Sequence, residues 1–75
     1  MSSLDQLRTG DRARIASIQG DDAIVQRLLE MGLFEGEEVE VLGFAPLGDP
    51  VEVRVGNTRL SLRRQEAAAV SVRVL

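Results

Sequence analysis

The sequence predicts a mainly β fold: a small barrel of about five strands, with one inserted α-helix and a short helical turn before the last strand. Its 75 residues suffice for a single domain, residues 1–75, with one hydrophobic core. Five short segments alternate apolar and polar residues, as half-buried strands do, and one segment has helical spacing. Full closure into a barrel would remove the exposed edges of such short strands.

The first predicted strand is Arg12–Ile18, which follows a short lead-in at residues 4–7 and the turn signal Thr9-Gly10-Asp11. Arginines at alternate positions lie on one face of this strand, and Ala13 and Ile15 lie on the other. This alternation is typical of an antiparallel strand with one face in the core.

Asp21 and Asp22 predict the start of the helix, because carboxylates cap the free N–H groups and complement the helix dipole there. Gly32 predicts its end. A glycine in the left-handed conformation at this point brings Leu33 against Leu28, which is the contact of a Schellman motif.

The second half of the chain predicts four strands and one helical turn. Gly56-Asn57 has the length and composition of a two-residue hairpin loop. Residues 63–67 are polar and form a segment only about one helical turn long. The predicted strands are residues 38–45, 51–55, 58–62 and 70–74.

The composition argues against an enzyme. The chain contains no Cys, His, Trp, Tyr or Lys. Without Cys and His, disulfides, imidazole-assisted nucleophiles and the usual zinc sites are excluded. The glutamates of residues 35–40 do not form a loop of the calcium-binding type, so we expect neither a metal site nor a cofactor.

The formal net charge of −3 and the pI near 4.8 argue against nucleic acid as the main partner, because phosphate binding requires clustered positive charge. The N-terminal residues lack the pattern of a signal peptide, and no apolar run approaches the ~20 residues of a transmembrane helix. We therefore expect a cytoplasmic protein that does not insert into membranes.

Residues 45–50, Ala-Pro-Leu-Gly-Asp-Pro, form the most unusual segment. Two prolines and a glycine restrict its backbone, and Leu47 has no obvious place in the core. The structural interpretation is a stiff loop between strands, which composition alone favours. The functional interpretation is a loop that presents Leu47 to a partner.

An apolar group surrounds the predicted helix end: Leu28, Leu29, Met31, Leu33 and Phe34. Core packing is the commoner role of such residues. The alternative is that part of the group forms a cleft that receives a partner's helix or strand.

Charge is separated along the chain. Residues 35–52 contain acidic residues and no arginine, whereas residues 54–73 contain five arginines and one glutamate. Pairing between neighbouring strands, for example of Glu40 or Glu52 with Arg54 or Arg59, is the simplest explanation. Arginines 63 and 64 lie outside strand alternation and could present forked donors to a partner.

Three motifs, taken in order, resemble the FeoA family. They are Leu28-Leu29-Glu30-Met31-Gly32-Leu33 followed by Gly36, then Ala45-Pro46-Leu47-Gly48-Asp49-Pro50, then Leu60-Ser61-Leu62-Arg63 with Glu66-Ala67. The resemblance extends from about Arg12 to Val74 and implies an SH3-like barrel with a helical insertion.

The resemblance also implies a role. FeoA proteins are small cytoplasmic accessories of bacterial ferrous iron uptake that are thought to act on FeoB, a membrane permease with a cytoplasmic GTP-binding domain. The expected partner is the cytoplasmic or membrane-facing region of FeoB. The same barrel occurs at the C-terminus of repressors of the diphtheria toxin repressor type, and because no helix-turn-helix is present we expect a free-standing protein.

The family motif assigns two sets of residues. Residues with an expected structural role are Gly32, Leu33, Gly36, Pro46 and Pro50. Residues with an expected role in partner binding are Leu29, Met31, Leu47, Gly48, Asp49, Arg63 and Glu66. Among them Leu47, Asp49 and Arg63 are expected to contact the partner, with the cleft near Leu29 and Met31 as the receiving surface.

Other interpretations stay open at this point. One is a nucleic-acid-binding barrel that uses the basic segment 54–73. Another is a stand-alone relative of the repressor domain, and a third is weak iron binding by carboxylates. The hairpin and the closed barrel favour a monomer, while the apolar residues near Phe34 leave a weak dimer open.

Overall fold

The computed structural model describes residues 2–75, which form six antiparallel strands and two α-helices. The elements are β1 (Ser2–Ser3), a 3₁₀ turn (Leu4–Gln6), β2 (Arg12–Ile18), α1 (Asp22–Glu30), β3 (Glu38–Phe44), β4 (Val51–Val55), β5 (Thr58–Leu62), α2 (Arg64–Ala68) and β6 (Val70–Val74). This mainly β architecture confirms the predicted fold class.

The strands form one sheet in the order β1-β6-β2-β3-β4-β5. Two irregularities bend it, one in the β2–β6 ladder between Ile15 and Ser17 and one in the β3–β4 ladder between Val41 and Gly43. Such bulges increase the local twist of a strand and allow a short sheet to curl around its own core.

The sequence predicted a barrel closed by hydrogen bonds on all sides, and the structure differs from this prediction. The ladder order has two ends, β1 and β5, and no ladder joins them within residues 2–75. The chain leaves β5 through α2, which packs against the 3₁₀ turn before β6 begins. Helical segments therefore close this side of the fold, and β5 keeps a free edge.

The core consists of the inward-facing residues of the strands together with leucines from the helical segments. In β4 the alternation is complete, because Val51, Val53 and Val55 are buried and the residues between them are exposed. The largest fully buried side chains are Leu4, Ile15, Leu28, Leu33, Leu62, Val39, Val41, Val51, Val53, Val70 and Val72.

Leu4 and Leu7 of the N-terminal segment are part of this core, whereas the sequence predicted only a lead-in. Leu4 is fully buried, Leu7 is nearly so, and β1 pairs with β6 to give a sixth strand. A strand of two residues has no visible period, and for this reason the alternation that marks the other strands does not reveal it.

Both ends of α1 have the predicted caps. The Asp21 carboxylate accepts a hydrogen bond from the backbone N–H of Ile24 at 2.9 Å. At the C-terminal end the N–H of Leu33 donates to the Leu28 carbonyl at 3.1 Å, and the N–H of Gly32 donates to the Leu29 carbonyl at 3.0 Å. These two bonds define the Schellman motif and confirm its prediction.

The predicted hairpin and the cross-strand charge pairs are also confirmed. Gly56 and Asn57 join β4 to β5 as a two-residue loop. Ion pairs connect neighbouring strands on the exposed face, Arg54 to Glu40 at 3.3 Å and Arg59 to Glu52 at 3.0 Å. The acidic and basic segments of the chain thus partly neutralise each other.

Candidate docking site

The loop between β3 and β4, residues 45–50, is closed by its own backbone. The N–H of Ala45 donates to the Pro50 carbonyl at 3.0 Å, and the N–H of Gly48 donates to the Ala45 carbonyl at 2.7 Å. The prolines expected to be structural, Pro46 and Pro50, lie within this closed loop. At its tip Leu47 is 95% exposed.

Gly48 and Asp49 fix this loop to the start of α2. The Asp49 carboxylate accepts a hydrogen bond from the Arg64 N–H at 3.0 Å, and the Arg64 guanidinium donates to the Gly48 carbonyl at 3.3 Å. Gly48 has a φ of +82°, and a Cβ at this position would lie 2.8 Å from the Arg64 Nη1 atom. The backbone conformation therefore favours glycine, whereas a Cβ would only displace the end of the flexible Arg64 side chain.

Glu66 connects α2 to α1 from inside the molecule. Its Oε1 atom accepts a hydrogen bond from the Arg63 N–H at 2.8 Å, and its Oε2 atom forms an ion pair with the Nε atom of Arg27. The residue is only 4% exposed. The expectation that Glu66 itself touches a partner therefore does not fit its position, because both carboxylate oxygens are engaged within the fold.

Neither Arg63 nor Arg64 forms an ion pair within residues 2–75. The Arg64 guanidinium donates to the Gly48 carbonyl, whereas that of Arg63 makes no bond to the described residues. The Arg63 side chain is exposed and borders a cleft of about 360 Å³ together with Arg27, Asp49, Pro50 and Ser61. Its guanidinium, which has five N–H donors, belongs to an exposed residue at the place where the loop meets the two helices. An anionic group of a partner would find a forked donor here.

The apolar group at the end of α1 divides into two parts. Leu28 and Leu33 are fully buried, and Met31 is half-buried against the core. Leu29 is 38% exposed and Phe34 is 49% exposed. Core packing is thus confirmed for Leu28 and Leu33, and the role of the exposed Leu29 and Phe34 in partner binding stays a prediction.

The structure brings Leu47, Gly48, Asp49, Arg63 and Glu66 together around the start of α2. The part of α1 that borders a cleft with Arg63 consists of Ala23, Ile24 and Arg27. Leu29 and Met31 are not among them, because they lie at the C-terminal end of α1 and at its cap. Gly36 bonds to β2, donating its N–H to the Ile15 carbonyl at 2.8 Å.

Sequence reasoning missed Arg27 altogether and considered Arg64 only as a donor to a partner, without its contact to the loop. Arg64 was visible as half of a double arginine, but its bond to Gly48 depends on how the loop folds back onto α2. Nothing in the sequence around Arg27 indicates its ion pair, because its partner Glu66 belongs to a different element.

Within residues 2–75, no group of three or more acidic, Cys or His side chains is arranged to hold a metal ion. None of the helices described here has the length and apolar character needed to cross a membrane.

Comparison with known proteins assigns the chain to a family, since the FeoA domain model matches residues 2–74. The chain belongs to the FeoA family. The family consists of accessory proteins of ferrous iron transport, and the assignment confirms the resemblance drawn from the three motifs.

Two solved FeoA structures resemble this chain over nearly its whole length. The FeoA protein of Chlorobium tepidum is 42% identical, with a TM-score of 0.89 over 97% of this chain and 70% of that one. The zinc-complexed FeoA of Stenotrophomonas maltophilia, described as a prokaryotic SH3 domain protein and a candidate ferrous iron transport activating factor, is 39% identical. Its TM-score is 0.83 over 96% of this chain and 89% of that one.

A fusion protein of Porphyromonas gingivalis links an Fe(2+) transport protein A to an Fe(2+) transporter FeoB in one polypeptide. It is 40% identical to this chain over 72 residues, which are 96% of this chain and 8% of the fusion protein. A manganese-dependent transcriptional repressor shares the fold with a TM-score of 0.91, but at 20% identity and over 36% of its chain the likeness concerns the fold alone.

Proposed function

We propose that this FeoA-family chain is a non-enzymatic cytoplasmic adaptor that binds FeoB and modulates its transport or nucleotide cycle. The observation that carries the proposal is Leu47, 95% exposed at the tip of a loop that hydrogen bonds fix to α2. An exposed leucine on a stiff loop loses little conformational freedom when it enters a partner's pocket. Burying such a side chain is worth about 1.5–3 kcal/mol.

Each predicted site residue has a distinct part in this proposal. Leu47 and Arg63 touch FeoB directly, the first through apolar burial and the second through its free guanidinium donors. Asp49, Gly48 and Glu66 position them, because they hold the loop and α2 in place.

The exposed part of the α1 end supplies a second contact surface. It contains Leu29, with Phe34 exposed near it in sequence and Met31 half-buried against the core. An apolar surface at a helix end suits a partner's helix or strand.

The Porphyromonas gingivalis fusion supports the choice of partner. A FeoA-like segment joined covalently to FeoB meets its partner at a high effective concentration, so association needs no large interface. A free-standing chain that does the same work must provide the affinity through its own surface, and the loop tip is the place where an apolar anchor is displayed.

The substitution Leu47→Asp tests the proposal. Binding to full-length FeoB in lipid nanodiscs is measured by calorimetry, with and without a GTP analogue. We expect the variant to bind about 30-fold more weakly or worse, because it loses the burial of a leucine side chain and introduces a charge. Its thermal melt should stay within a few degrees of the wild type, since the side chain lies outside the core.

Leu75→Asp is the matched control, because Leu75 is also an exposed leucine, at the C-terminal end of the chain. This variant should bind as the wild type does. Equal binding by Leu47→Asp and the wild type would refute the role of the loop. Absence of FeoB binding by the wild-type chain in either nucleotide state would refute the proposed partner.

A further inference from the structure

Strand β5 is an edge strand whose outer backbone groups can be identified from its hairpin. In a hairpin with a two-residue loop, the residues that flank the loop exchange backbone hydrogen bonds. Here these residues are Val55 and Thr58. Because the pattern alternates along the strand, Leu60 and Leu62 also bond to β4, while the N–H and C=O groups of Arg59 and Ser61 point away from it.

Within residues 2–75, no backbone hydrogen bond beyond the β4 ladder involves β5. Its outer edge therefore presents two donors and two acceptors, from Arg59 and Ser61, to solvent. Arg59 and Ser61 also have exposed side chains. An edge of this kind can pair with another extended strand.

We propose that a second copy of this chain pairs with this edge, β5 against β5, antiparallel, around a two-fold axis at Leu60. In this register Arg59 lies opposite Ser61 of the second copy, and Ser61 lies opposite Arg59 of the second copy. Each pair exchanges two backbone hydrogen bonds, so all four outer groups on each strand are satisfied. The two Leu60 residues face each other as a non-hydrogen-bonded pair, which brings their side chains close.

The charges on β4 and β5 favour a second copy as the occupant. The ladder places Glu52 beside Ser61 and Arg54 beside Arg59. In the paired sheet each Ser61 would lie between Glu52 of its own copy and Arg59 of the second copy. These two residues would be about 10 Å apart at Cα, within the combined reach of the side chains over a small serine. Glu52 already pairs with Arg59 of its own copy at 3.0 Å, so the second copy would join two existing ion pairs into one network of alternating charge. The chosen register places no two like charges directly opposite each other across the new interface.

The other face of the paired strands is apolar at its centre. Val53 lies beside Leu60 in the ladder, and Leu60 is only half-buried in the single chain. The pairing would continue this row across the interface as Val53, Leu60, then Leu60 and Val53 of the second copy. The two-fold arrangement makes both faces self-complementary, as an isologous interface requires.

The interface is short, so the dimer should be weak. Four hydrogen bonds and one leucine pair correspond to the small class of interfaces, which form transient complexes. We expect a monomer at about 10 µM protein and a substantial dimer fraction at about 1 mM.

The substitution Ser61→Pro tests this pairing, and Ser61→Ala is its matched control. Proline removes the outward N–H of Ser61 and leaves the β4 ladder intact, a position in which edge strands tolerate proline. Sedimentation equilibrium from about 10 µM to 1 mM should show at least a tenfold weaker dimer for Ser61→Pro and an unchanged dimer for Ser61→Ala. Amide exchange at Arg59 and Ser61 should slow as the wild-type concentration rises.

Two results would overturn the inference. One is a wild-type chain that stays monomeric over the whole concentration range. The other is a dimer that persists in Ser61→Pro, or that forms without protection of the Arg59 and Ser61 amides, which would locate the interface elsewhere. The circular dichroism melt of Ser61→Pro must match that of a folded domain, and if it does not, Arg59→Pro provides the same test at the other outward position.

Discussion

Gly32 shows how a single residue ends α1 and directs the chain into the core. Its φ of +98° lies in the left-handed region, and a Cβ there would meet no neighbouring atom within 4 Å. The requirement for glycine is thus one of backbone conformation and not of space. The bonds of Gly32 and Leu33 back to the last turn depend on this conformation.

The substitution Gly32→Ala should therefore cost about 1–2 kcal/mol of unfolding free energy, because an L-residue is strained in the left-handed region. For a domain of this size the thermal midpoint should fall by about 4–16 °C. Gly43→Ala is the control. Gly43 has no such φ, and its added Cβ would also meet nothing within 4 Å, so its stability should change by no more than about 1 kcal/mol. Equal losses in both variants would contradict this explanation.

Residue-scale features were the most predictable from sequence. In the Asp21 cap and in the glycine motif at the helix end, each hydrogen bond joins two residues fewer than six positions apart. A short stretch of sequence therefore contains all the residues that each motif needs. The same holds for Gly56-Asn57. Two prolines and a glycine restrict the backbone around Leu47, and the sequence predicted no place for this side chain in the core. Its exposure agrees with that prediction.

Among the elements, α2 owes its position to contacts with other parts of the chain more than to its own sequence. It has only five residues, too few to be stable as an isolated helix. Asp49 accepts from its first N–H, and Glu66 accepts from the N–H of Arg63 just before it. Arg27 of α1 then pairs with the same glutamate, which ties the two helices together.

Substitutions at Glu66 should separate these two contacts. Glu66→Ala leaves the Arg63 N–H without its acceptor and removes the partner of Arg27, and should cost about 2–3 kcal/mol. Glu66→Gln keeps an acceptor oxygen for the Arg63 N–H and should cost about 1 kcal/mol. Chemical denaturation measures both values, and identical losses would mean that the hydrogen bond to Arg63 contributes little.

Contacts between elements were predictable only where the elements are neighbours in the sheet. The pairs of Arg54 with Glu40 and of Arg59 with Glu52 follow from strand alternation and a hairpin, both of which can be seen in the sequence. The pair of Arg27 with Glu66 joins two helices whose relative position depends on the complete fold. For this reason the sequence placed Glu66 among the partner-binding residues, although its side chain lies inside the fold.

At the scale of the whole molecule, the core depends on the N-terminal segment more than the sequence suggested. Leu4 is fully buried and Leu7 nearly so, and both lie outside the strands whose alternation is visible. A chain of 75 residues has few other apolar side chains to replace them. The free energy of unfolding of such a domain is only of the order of 5–15 kcal/mol.

The substitution Leu4→Ala should therefore lower the free energy of unfolding by about 2–5 kcal/mol, the usual cost of a cavity at a fully buried leucine. Leu75→Ala, at a leucine that is 59% exposed, should change it by less than about 0.5 kcal/mol. Urea unfolding followed by circular dichroism compares the two. A small loss for Leu4→Ala would show that the N-terminal segment can detach without disturbing the rest of the core.

The overall architecture was otherwise predictable, because five of the six strands have five to seven residues and a clear period of two. What could not be predicted was how the barrel closes. Closure depends on α2 packing against the 3₁₀ turn, a contact between segments near opposite ends of the chain. The alternation of apolar and polar residues predicts strands, but it does not predict a contact between two distant helical segments.

The pairing of Ser2 with Val72 has a consequence for gene fusion. Adjacent strands lie about 4.8 Å apart, so the two ends of the domain leave the sheet side by side. A polypeptide joined before β1 or after β6 would therefore start from nearly the same point in space. The order in which such a domain and a transporter are encoded thus makes little difference to how far apart the two can be held.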